Sequence, residues 1–199
     1  MKINKIYFYL AIIVLVLNAG CSSKATKKAD VDPEKNLVNV IAVLPVENKT
    51  QDDVAPGLLR IRIIDELYFK GYSKISPDFI DRRLEELNTE EKKEKINVIS
   101  PRKINELVGA DGVLYSTLNK STKGKGFFYR PITLSLTCEL RKSENGEIVW
   151  KGQYNATSRN FAFTRKGLDM KYYKAYEEVI EELVTKIMET IPYGPNLRS

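Results

Sequence analysis

PITLSLTCELRKSENGEIVWKGQYNA, residues 131–156, decides the fold. Its first half alternates: Ile132, Leu134, Leu136, Cys138 and Leu140 fall on one side, and Thr133, Ser135, Thr137, Glu139 and Arg141 on the other. A period of two over that length marks a half-buried strand, one side on a core and one toward water. The alternation returns from Glu147 to Ala156, with Ile148, Trp150, Gly152, Tyr154 and Ala156 together. Asn145-Gly146 between the two runs is a hairpin signal. A two-residue turn would set Leu140 opposite Lys151 and mix the faces. A three-residue loop, Glu144-Asn145-Gly146, pairs Leu140 with Trp150 and Cys138 with Gly152. The register therefore predicts a type I turn with Gly146 in a left-handed bulge.

Upstream of the hairpin the pattern changes. Val38 to Leu44 (VNVIAVL) is a nearly continuous β-branched run closed by Pro45, as suits a central strand buried on both faces. Asn48 to Asp53 reads as a polar loop. From Val54 to Lys70, Leu58, Leu59, Ile61, Ile63, Ile64, Leu67 and Tyr68 recur at helical spacing over a broad face, and Gly71 stands at a C-cap position. Tyr72–Ser76 is a short strand, Asp78–Leu87 a helix, and the charged Asn88–Lys95 a loop or a frayed extension of that helix. Ser100-Pro101 starts another helix, the Ser capping it and the Pro at its first position; Gly109 ends it. Asp111–Leu118 is a further strand and Lys120–Arg130 a loop. Past the hairpin, Ser158–Leu168 is a loop and Asp169–Ile191 a long amphipathic helix, with Glu177, Glu178, Glu181 and Glu182 toward water. Strand–helix alternation followed by a hairpin predicts an α/β (α+β mixed) fold. It is a single three-layer-like domain: a mixed sheet of about five strands, helices on its faces, and a long C-terminal helix.

The N-terminus is of another kind. Lys2 and Lys5 precede the apolar run Ile6–Leu17, which is shorter than the roughly 20 residues a membrane span requires. Basic start, apolar core and small residues at a cut make a secretory signal. Ala19-Gly20-Cys21 resembles a bacterial lipobox, with Asn18 where Leu is usual. That resemblance implies a signal peptide over 1–20 and a diacylglyceryl thioether and fatty acyl group (palmitate) on Cys21. Residues 21–37 follow as a polar tether, able to reach roughly 50 Å when extended, and 38–199 form the domain. Ser22 after the cysteine points to the outer membrane and its periplasmic face, because Asp there is the usual inner-membrane retention signal.

Composition excludes several function classes. The net charge is +6, or +4 once Lys2 and Lys5 leave with the signal, and both signs are interspersed, so nucleic acid has no basic footprint here. Histidine is absent, which removes the commonest general base and the commonest metal ligand. Ser116 and Ser135 have no partner spacing for nucleophilic catalysis. Gly109-Ala110-Asp111-Gly112 precedes a strand, unlike a phosphate-binding loop. Asp52-Asp53 and Asp30/Asp32 lack calcium-loop spacing. No enzyme activity, metal or cofactor is expected. Cys138, on an apolar strand face, reads as an inert core thiol. Phe127, Phe128 and Tyr129 in one loop and Phe161 and Phe163 in the next flank the same hairpin with Lys and Arg nearby. Such rings suit a protein interface, a headgroup layer or a cover for the sheet.

Three segments now stand in order behind the lipobox: Val40-Ile41-Ala42-Val43-Leu44-Pro45 with Asn48-Lys49-Thr50, Gly109-Ala110-Asp111-Gly112-Val113-Leu114-Tyr115, and Asn145-Gly146 with Ile148-Val149-Trp150. Together they resemble a surface lipoprotein family typified by the meningococcal GNA vaccine-antigen lipoproteins, over roughly Val38 to Ile191. That family is similar to α/β domains of the curli-secretion lipoprotein CsgG, the penicillin-binding-protein activator LpoB and the N-terminal domain of TolB. The resemblance implies a non-catalytic binding or assembly accessory of an envelope complex, held by its lipid. Its partner would be a CsgG-like or other envelope lipoprotein, or a further copy of the chain. It carries over no catalytic residues. The other expectation is an auxiliary lipoprotein of an envelope transporter that binds a small apolar ligand or lipid.

Overall fold

The computed structural model describes residues 38–90, 99–124, 126, 129–159 and 164–197. In chain order the elements are β1 (Val40–Val43), β2 (Glu47–Asn48), α1 (Ala55–Phe69), β3 (Ser73–Lys74), α2 (Pro77–Glu90), α3 (Pro101–Val108), β4 (Gly112–Lys123), β5 (Ile132–Lys142), β6 (Ile148–Ser158) and α4 (Arg165–Thr190), closed by a 3-10 turn at Pro195–Leu197. The predicted class holds: a mixed α/β sheet of six strands in the order β3-β1-β4-β5-β6, with β2 also pairing to β4. β1 runs parallel to β3 and β4, and β5 is antiparallel to β4 and β6. The sixth strand, β2, lies where the chain passes from Pro45 into the polar loop predicted from Asn48; two residues carry no periodicity to find.

Each face of the sheet has its own core. α1 and α4 cover one face, burying Leu59, Ile63, Leu67, Val179, Leu183 and Ile187 against the inward row Leu134, Leu136, Cys138 and Leu140. α2 and α3 cover the other, where Ile80, Leu84 and Ile104 meet Ala42, Leu44, Val113 and Tyr115. Among the described residues, the second core takes its strand members from β1 and β4. Beyond it Glu139, Arg141 and Lys151 form ion pairs on the outer side of β5 and β6.

The hairpin keeps the predicted register, Leu140 opposite Trp150 and Cys138 opposite Gly152. Its turn is one residue longer than predicted. Gly146 N donates to Lys142 O and Lys142 N to Glu147 O, enclosing four residues, with Gly146 at φ +73°. The extra residue is absorbed at Val149, since Arg141 pairs with Ile148 while Leu140 pairs with Trp150. That bulge turns Ile148 outward and lets Val149 and Trp150 both pack on the core, correcting the simple alternation expected there.

Three boundaries also move. α2 runs to Glu90, past Leu87 and into the charged stretch that follows. β4 continues to Lys123 through a second bulge between Leu118 and Lys120, where a loop was predicted. α4 starts at Arg165 instead of Asp169, because Thr164 caps it by accepting from Gly167 N.

The sheet has two distinct ends. At the proximal end the chain enters at Val38; β1, β3 and β4 begin there and the β5–β6 turn closes it. At the distal end β4 finishes and β5 starts, with Lys123 opposite Ile132 and Ile132 opposite Ser158. Eleven residues of β5 separate the two ends by roughly 36 Å at the usual rise per residue.

Candidate functional site

Asp52 gathers the densest polar contacts among the described residues. Asn48 Oδ1 accepts from Thr50 N and Oγ1, Thr50 Oγ1 accepts from Asp52 N, and Asn48 Nδ2 donates to Asp52 O. These bonds fix the loop so that the Asp52 carboxylate points inward. Its Oδ1 accepts from Val54 N and Ala55 N at 3.3 Å each, satisfying donors that the start of α1 leaves open. Its Oδ2 accepts from Ser121 Oγ at 2.6 Å and Tyr176 OH at 2.8 Å and lies 3.2 Å from Lys123 Nζ. The bulge in β4 makes this possible. It rephases the strand so that Ser121 and Lys123 share the inward side with Leu118.

Asp52 is only 5% exposed. Burial alone would push its carboxyl up. Hydrogen bonds from Ser121, Tyr176, Ala55 N and Lys123 outweigh that and hold it down at about 2. The carboxylate is thus an ionised tie between α1, β4 and α4. In the sequence Asp52 stands out only as part of a polar loop without calcium-ligand spacing. An Asp shortly before a helix with Pro in its first turn was a visible capping signal; the bonds to Ser121 and Tyr176, 69 and 124 residues away, had none.

Other buried polar groups serve the fold in the same way. Arg60 bonds Val43 O at 3.0 Å and Asp81 Oδ2 at 2.8 Å, joining α1 to α2 around the end of β1. Tyr115 OH donates to Ile99 O at 2.7 Å, and burial pushes its hydroxyl up to about 12. Cys138 is fully buried as predicted, 3.5 Å from Ser116 Oγ, and burial raises its thiol to about 11. A thiol held so high is a poor nucleophile at neutral pH. Glu177, Glu178, Glu181 and Glu182 lie on the wet side of α4. An open groove of about 340 Å³ lies between α1 and the start of α2, lined by Ile61, Ile64, Asp65, Lys74, Ile75, Ser76 and Pro77.

Of the predicted site residues, Cys21, Phe127, Phe128, Phe161 and Phe163 lie outside the described residues. Tyr129 is 38% exposed at the distal end. Both aromatic connections leave the sheet there side by side: Gly124 N donates to Pro131 O across the first, and Ile132 pairs with Ser158 at the start of the second.

Fold and site together define a mixed-sheet α/β domain in which the buried side chains of Asp52 and Arg60 join its elements. Residues 34–192 match the model of the GNA1162-like lipoprotein family, and the chain belongs to that family. Lipoprotein GNA1162 from Neisseria meningitidis superposes with a TM-score of 0.56 at 20% identity, over 72% of this chain and 99% of that one. It shows the shared fold. A PelC dodecamer structure from Paraburkholderia phytofirmans gives 0.46 at 17% identity, over 79% and 89% of the two chains. The C-terminal domain of LpoB from Salmonella enterica gives 0.45 at 20% identity, over 61% and 85%. No curated protein sequence matches significantly.

Proposed function

We propose that the protein is a lipid-anchored accessory of a cell-envelope complex, without catalysis, held at the outer membrane by Cys21 and facing the periplasm. Its domain would present the distal aromatic connections to a partner, a CsgG-like or other envelope lipoprotein. One observation carries this reading: the two connections rich in aromatic residues leave the sheet together at the end opposite to where the chain from Cys21 enters. A binding module on a tether needs that polarity, with the anchor at one end and the contact at the other. Aromatic residues with Arg130 and Arg159 nearby are the composition of interface cores.

The test is crosslinking in living cells from a photoreactive residue at Tyr129, with one at Lys151 on the outer side of β6 as control. A discrete adduct from position 129 that Phe127→Ala, Phe128→Ala or Phe161→Ala removes is the expected result. Equal patterns from both positions, or an adduct that all three variants retain, would count decisively against it.

A further inference from the structure

The proximal end carries an exposed cluster of large aromatic and apolar side chains. Tyr68 and Phe69, the last residues of α1, are 57% and 70% exposed, and their rings meet edge to face at 5.7 Å. Tyr193 and Leu197, 57% and 52% exposed, lie on the segment after α4, against Lys70 and Gly71 at the end of α1. That segment is fastened to the end of α1: Gly194 N donates to Lys70 O at 2.8 Å and Asn196 N to Gly71 O at 3.3 Å. Lys70 Nζ sits 3.7 Å from the centre of the Tyr193 ring, and Lys74 Nζ 5.2 Å from that of Tyr68. Four large apolar side chains with two lysines over the rings thus share one rigid corner.

The position of the tether gives this corner its meaning. The chain from Cys21 joins the domain at Val38, and the next residue's carbonyl, Asn39 O, accepts from Ser73 N at 2.8 Å. Ser73 follows Phe69 by four residues through a tight turn. The strand that leads back to the lipid therefore starts against the aromatic corner. Tyrosine with lysine is the pair that settles at a membrane's headgroup layer, ring toward the acyl boundary and cation toward the phosphates. We infer that Tyr68, Phe69, Tyr193 and Leu197 form a membrane-contact surface that rests on the bilayer holding the Cys21 lipid. This rests on the lipid-anchor reading above. Contact there stands the sheet upright and carries the distal connections roughly 36 Å farther from the bilayer surface. Asp65 lies 3.6 Å from Lys74 and reduces the corner's positive charge, so contact depends mainly on the rings and only weakly on salt.

The test uses the full lipidated chain in vesicles of phosphatidylethanolamine and phosphatidylglycerol, with and without brominated acyl chains. Trp150 is first changed to Phe; then Phe69→Trp, Tyr193→Trp or Tyr129→Trp supplies the reporter. Flotation with the vesicles reports the anchor, and bromine quenching reports contact. The expected result is flotation of all three, with fluorescence falling about twofold for the reporters at 69 and 193 and unchanged at 129. Flotation without quenching at 69 and 193 overturns the contact while leaving the anchor standing. Equal quenching at 129 overturns the upright arrangement. If the chain does not float, the anchor reading fails and the contact with it.

Discussion

The two ends of the sheet are held together by different physics. Among the described residues, the connections α1–β3, α3–β4 and β5–β6 at the proximal end are short, and backbone geometry closes them. Gly71, Gly109 and Gly146, the glycines with positive φ among the described residues, all lie there, at +87°, +71° and +73°. At the distal end connections are long, and a side-chain network does the joining: Asp52 bonds to the start of α1, to β4 and to α4. An end closed by glycine turns depends on backbone conformation more than on the side chains it displays. An end closed by one carboxylate leaves its loops free to vary in sequence.

The largest effect is expected from removing that carboxylate. Asp52→Ala strips the partners of buried Tyr176 and Ser121 and uncaps α1 at once. A loss of about 2–4 kcal/mol is expected, read as the shift in urea midpoint multiplied by the slope. If the variant unfolds within about 0.5 kcal/mol of the parent, the distal end is not closed by Asp52 and the contrast collapses.

Acid separates the two ends more gently. Asp52 has a folded-state pKa of about 2, below its unfolded value, so its contribution is fully present above about pH 4 and disappears as pH falls toward 2. The parent should lose about 1–2 kcal/mol from this group over that window, and Asp52→Asn should lack the corresponding part of the pH dependence. Parallel pH curves for the two proteins would mean that the carboxylate titrates normally.

The same contrast explains what could be read from the chain. The proximal end was legible because its signals are local. Gly71 and Gly109 stand where helices stop, and Asn145-Gly146 between two alternating runs. Each is a few residues long and acts on its own neighbours. The distal end was not. Lys120–Lys123 read as loop because a bulge had to be inserted before their inward and outward sides made sense. Asp52 looked idle because its partners are distant in sequence. In the turn itself, the core pairing of Leu140 with Trp150 was recoverable, while the division of one extra residue between loop and strand was not. Burial patterns set register strongly and say little about where slack is stored.

Glycine substitutions test the proximal end. Gly71→Ala meets both a left-handed backbone and Leu197, whose Cγ would lie 2.8 Å and whose backbone N 2.9 Å from the new Cβ. About 2 kcal/mol is expected, along with loosening of the corner that carries Tyr193. Gly109→Ala and Gly146→Ala have the same backbone sign but open space around the Cβ, so each should cost only the conformational share, about 1 kcal/mol. The difference between them and Gly71→Ala isolates the packing of the segment after α4 against α1. Gly146→Asn sharpens the point further. Asn tolerates the left-handed region, and its cost should fall to a few tenths of a kcal/mol. If Gly146→Asn costs as much as Gly146→Ala, the backbone is not what closes this turn.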